Sequence, residues 1–224
     1  MAVEVEEAQK ISPSEAILLV IASFFLLLFA GSFVDWVGYG VTMMLGEVLL
    51  AVLPLIVMIL RRINVKNYIG LRLKFRDILL GVVIGIFLLF FEGIVNSALI
   101  SVFGESKAIK QSNQIMVELS RTTDGLILAI ATLTLAGICE EFVFRGFLQT
   151  TITKKYSAWV SVVVSSLAFG LFHFDLQVVY TLSAFLMGLV LSFIYHHWHS
   201  YSVCATAHAS LNLIVFIIVT MVPS

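Results

Sequence analysis

The chain has 224 residues, 60% of them hydrophobic and 12% charged, with a formal net charge of −1 and a mean hydropathy of +1.07. That composition excludes a soluble globular domain and places the chain among polytopic membrane proteins. No basic tract with interleaved aromatics occurs, so nucleic acid is not an expected partner. Cys139 and Cys204, both in apolar surroundings, supply neither a disulfide framework nor a metal-type spacing.

The N-terminus is acidic at Glu4, Glu6 and Glu7 and lacks the basic region of a cleaved signal peptide, so the first apolar segment is expected to be a retained helix. Roughly 20 mostly apolar residues are needed to cross the hydrocarbon core. By that rule seven spans are expected, at about 15–34, 41–60, 78–103, 125–149, 157–174, 177–196 and 203–222. Strand-like runs such as Val160–Val164 are embedded in longer apolar segments, and an open strand cannot satisfy its backbone in lipid. The expected fold is therefore all-α, a single integral membrane domain with N-terminal helices over 1–124 and a four-helix core over 125–224. No internal repeat is evident.

The loop after the second span carries Arg61, Arg62, Lys66, Arg72, Lys74 and Arg76. Lys10, Lys154 and Lys155 fall on the same side, against Lys107, Lys110 and Arg121 on the other. Lys and Arg accumulate on the cytoplasmic side, so a multi-pass cell-membrane protein with a cytoplasmic N-terminus is expected. Arg72–Arg76 reads as interfacial.

Glu47, Glu92 and Asn96 are the polar exceptions in the first three spans. Glu92 and Asn96 are four apart and share a helix face, a pattern read as helix packing. The fourth span brings Glu140, Glu141 and Arg145. An ionisable group at bilayer depth costs on the order of 2.5–3.5 kcal/mol, so three within six residues require a reason. Glu141 and Arg145, four apart, can pair on one face. Glu140 is turned about 100° away and is free to face a cavity, where burial would tune it towards a general base or acid. A Glu–Arg clamp with a second, solvated glutamate is the alternative.

The fifth span ends Phe169-Gly-Leu-Phe-His173-Phe-Asp175. Taking Lys154–Tyr156 as the turn between spans four and five, Glu140 lies sixteen residues before Tyr156 and His173 seventeen after it. In an antiparallel pair with equal rise the two meet at one height, and a glutamate beside a histidine can activate water. The seventh span contributes His208 and Asn212, four apart, either an oxyanion-stabilising pair or interhelical bonds. His196, His197 and His199 flank Trp198 at a helix end and read as interfacial. No His-Glu-x-x-His zinc helix occurs.

The ordered set Glu140-Glu141-x-x-x-Arg145, Phe169-x-x-x-His173 and His208-x-x-x-Asn212 resembles the CAAX-protease and bacteriocin-processing family of intramembrane endopeptidases, and within it a prokaryotic relative of the Rce1 prenyl-protein protease. The resemblance covers about 125–222. It implies a site open to the cytosol in which Glu140 is general base on a water, assisted by His173. His208 and Asn212 would stabilise the oxyanion, with Glu141, Arg145 and Phe169 in support. Implied substrates are prenylated protein C-termini, from which a tripeptide is released, or membrane peptides. The family has also been described as metalloproteases. No cofactor is the preferred reading; if zinc is used, Glu140, His173 and His208 are its expected ligands. Buried carboxylates and histidines also occur in proton-coupled transporters and, as axial ligands, in membrane haem proteins.

One difficulty is visible in advance. His208 lies near the start of its span and His173 near the end of its own, about 15 Å apart in height for flat, untilted helices. Assembly of one site therefore predicts a wide cavity and a non-helical turn over 174–177 at membrane depth.

Overall fold

The computed structural model describes residues 11–221, which are helical with no strand among them. Lys10 and the acidic Glu4, Glu6 and Glu7 lie outside the described residues. The major helices are α1 (Pro13–Gly31), α2 (Tyr39–Leu60), α3 (Phe75–Phe103), α4 (Lys107–Leu119), α5 (Thr123–Glu141), α6 (Ala158–Phe172), α7 (Val179–Trp198) and α8 (Tyr201–Met221). Their starts follow local chemistry. Ser12 precedes Pro13 and accepts from the Glu15 N–H at 3.2 Å, Ser106 caps α4 and Thr122 caps α5, each oxygen satisfying an otherwise orphaned donor. α3 stops at Gly104, whose φ of +83° lies in the region glycine tolerates.

Among the described residues six helical runs are long and apolar enough to cross a membrane. The expected fifth span is the exception: α6 has 15 residues, about 22 Å at 1.5 Å per residue, against a hydrocarbon core of about 30 Å. Its short length carries the chain into the turn 173–178 at the level of Glu140, as the height argument required. Asp175 is buried there while Phe174 and Leu176 point outward.

α8 occupies the centre, packed against α3 and α5. The approach is close because the facing positions are glycines: a Cβ at Gly137 would lie 2.5 Å from the Ala209 nitrogen, and one at Gly85 2.7 Å from the Ala207 carbonyl oxygen. Small residues of this kind let helix backbones meet where dispersion is the main attraction.

The bundle has two chemically distinct ends. At the basic end Glu15 pairs with Arg61, Lys154 stacks over the Tyr68 ring, and the Tyr201 N–H donates to the Gly70 carbonyl. That end is filled: Phe142 to Ile152 are all buried, and the short helical turn Val65–Tyr68 closes over them, with the Tyr195 hydroxyl donating to the Ile69 carbonyl at 3.0 Å. α4 lies at the opposite end, where Gly40 meets Leu119 and Leu128.

Candidate active site

α5 changes character where its charges sit. Beyond Glu141 the chain runs as a π-helix, Phe142–Gln149, before resuming as Thr150–Thr153, a local widening common at functional sites. Every residue of it is buried. Arg145 Nη1 donates to Glu141 Oε1 at 2.8 Å, both side chains being fully enclosed. Nη2 reaches the Gly188 carbonyl at 3.2 Å, and the guanidinium lies 4.4 Å from the Phe169 ring centroid. Gln149 donates to the Ser192 carbonyl at 2.8 Å, so α7 is pinned to this stretch twice.

Glu141 has a second partner that helix periodicity alone does not reveal. The same Oε1 accepts from His208 Nδ1 at 3.0 Å. A carboxylate can only accept, so this contact assigns the proton to Nδ1 and directs Nε2 towards Glu140, whose Oε2 is 3.8 Å away. His173 is arranged in the same manner: its Nδ1–H donates to the Phe169 carbonyl at 2.9 Å, and its Nε2 lies 4.0 Å from the same Glu140 oxygen. Glu140 is 4% exposed, and its Oε2 has no hydrogen-bond partner among the described residues. Two imidazoles from distant helices thus converge on one free carboxylate oxygen. Phe169 packs between them, its centroid 4.7 Å from His173 and 5.8 Å from His208. Asn212 lies on the same cavity, with Nδ2 3.4 Å from the Leu133 carbonyl, which leaves a second N–H unengaged.

The cavity has a volume of about 370 Å³. Its floor is Glu140, His173 and His208. Its walls are Glu47 of α2, Glu92 and Asn96 of α3, Thr132 of α5 and Tyr180 of α7, and Ile109 to Met116 of α4 contribute at the far end. Of these, Glu47, Glu92, Asn96, Thr132 and Tyr180 lie in the helix halves remote from the basic loops, and Glu140 and His208 lie nearer mid-helix. From this floor the cavity extends towards the end of the bundle where α4 lies, while Phe142–Ile152 fill the basic side. Glu92 and Asn96, read from sequence as helix packing, line this cavity.

Asp175 was also missed as a site-building residue. It accepts from the Gln177 and Tyr180 N–H groups at 3.1 and 3.2 Å, while Thr181 donates to the His173 carbonyl at 3.1 Å. The turn that presents His173 is therefore tied to the first turn of α7. Its adjacency to His173 was the only available signal. His196, His197 and His199 are exposed at the end of α7 and take no part in the site.

The orienting bonds on both Nδ1 atoms are of the kind that also orient zinc-binding histidines. The spacing is wider than the roughly 3.4 Å between neighbouring ligands in tetrahedral zinc geometry. Among the described residues no group of three His, Cys, Asp or Glu side chains is arranged to hold a metal.

Residues 122–214 match the family model described as type II CAAX prenyl endopeptidase Rce1-like. No curated protein and no solved structure matches the chain.

Proposed function

We propose that this chain, which over residues 122–214 belongs to the Rce1-like family, is an intramembrane endopeptidase that hydrolyses its substrate with a water activated by Glu140. The carrying observation is the buried Glu140 carboxylate, with one unbonded oxygen flanked by two imidazole Nε2 atoms on the floor of a cavity. Separations of 3.8 and 4.0 Å suit a bridging water about 2.8 Å from each partner. Glu140 takes the water proton as hydroxide attacks the scissile carbonyl, and returns it to the leaving amine. His173, its Nε2 lone pair facing the same space, steadies that water. His208, held by Glu141 through Nδ1, and the free N–H of Asn212 are the groups that stabilise the oxyanion. Arg145 holds Glu141 in place.

The substrate class suggested by the family is a prenylated protein C-terminus, cut to release its last three residues. Membrane peptides without a prenyl group are the second class. The excess of Lys and Arg at one end argues that this end is cytoplasmic in a cell membrane. On that orientation the α4 side of the cavity faces away from the cytosol, whereas the resemblance implies a site open to it.

The test is cleavage of a fluorogenic C-terminal peptide, with and without its prenyl chain, by purified protein in lipid nanodiscs. Glu140→Gln and His173→Ala should each lower kcat/KM by about 10²-fold or more, and strong chelator should leave the wild type unchanged. Variants that cut as well as wild type would overturn the assignment. Loss in chelator with recovery on added zinc would replace it with a metal mechanism.

A further inference from the structure

The catalytic layer occupies only the floor of the cavity; the walls carry a second set of polar groups from helices outside the family-matched segment. Glu47 extends from α2, Glu92 and Asn96 from α3. Around this one space Glu47 Oε2, Asn96 Oδ1, Thr132 Oγ1 and Glu140 Oε2 are all buried without a hydrogen-bond partner. Thr132 is only 3% exposed, so its hydroxyl has no recourse to bulk solvent. No Lys or Arg side chain is among the described residues lining the cavity. Arg145, beneath the floor, is already engaged by Glu141, Gly188 and Phe169. The walls therefore offer acceptor oxygens in excess of donors, with carboxylates on two sides.

The ligand groups complementary to such walls are those with several N–H donors and no acceptor, an ammonium or a guanidinium. We infer that Glu47 and Glu92 form a specificity subsite for a cationic residue of the substrate, Lys or Arg, close to the scissile bond. Asn96, four residues on, shares the helix face of Glu92, and Thr132 adds a further oxygen to the wall. The subsite rests on the endopeptidase reading for its place beside a scissile bond. The cationic preference itself follows from the wall chemistry.

The experiment compares membrane-anchored peptides that differ at one position flanking the cut: arginine, its neutral isostere citrulline, or glutamate. Each of the three positions on either side is tested in turn. The readout is the ratio of kcat/KM between the arginine and citrulline peptides, which a general loss of folded protein does not move. At one position wild type should favour arginine by about tenfold, the scale of one charge-assisted hydrogen bond, and should disfavour glutamate. Glu47→Gln/Glu92→Gln should bring the ratio near one, and Glu92→Lys should favour glutamate. Equal cutting of arginine and citrulline peptides at every position, or an unchanged ratio in the double variant, would overturn the inference. If wild type cuts no peptide, the endopeptidase reading fails and binding decides the subsite: fluorescence titration should show arginine peptide held about tenfold tighter than citrulline by wild type and equally by the double variant. Equal binding by wild type would overturn it.

Discussion

Arg145→Met tests whether the pair under the catalytic floor holds the bundle together. The substitution removes the 2.8 Å bond to Glu141, the 3.2 Å bond to the Gly188 carbonyl and the stacking over Phe169, and methionine fills most of the space. Glu141 is left fully enclosed, with His208 as its remaining polar partner. Breaking a buried pair from one side costs about 3–5 kcal/mol, because the orphaned charge keeps its desolvation penalty. Since neither side chain is exposed, solvent does not discount that figure. Replacing both partners, as Glu141→Gln/Arg145→Met, removes the orphaned charge, and a coupling of about 2–3 kcal/mol should return. The assay is reversible unfolding in mixed micelles with increasing SDS, followed by fluorescence of Trp36, Trp159 and Trp198. The double variant should recover stability but not hydrolysis, because His208 has lost its orienting carboxylate. A single variant within about 1 kcal/mol of wild type, or a double variant at the sum of the two singles, would refute the reasoning.

Two further outcomes are expected. Asp175→Ala strips acceptors from two backbone N–H groups. It should lower kcat more than it raises KM, at a local cost of about 1–3 kcal/mol, whereas Asp175→Asn keeps one acceptor and should restore part of the rate; equal rates for the two variants and wild type would remove Asp175 from the positioning of His173. Ser112→Cys, on the cavity wall contributed by α4, should react with a membrane-impermeant maleimide added to intact cells. Labelling only after permeabilisation would place the cavity on the cytosolic side.

The sequence by itself determined the class of the molecule and the cast of the site. Runs of apolar residues admit only helices in lipid, and the 3.6-residue period separates Glu141, facing Arg145, from Glu140. Turn arithmetic paired Glu140 with His173, and the structure brings the two within 4.0 Å. Tertiary structure alone decided what depends on helix packing. The Gly85 and Gly137 contacts seat α8 deep in the bundle, which brings His208 to the level of His173 despite its early place in its helix. That seating joins His208 to Glu141, a contact between residues 67 apart in the chain. Which part of a bundle is filled depends on how side chains interlock, and no periodicity along one helix records that Phe142–Ile152 would fill the basic end or that Glu47 and Glu92 would line one cavity with Glu140.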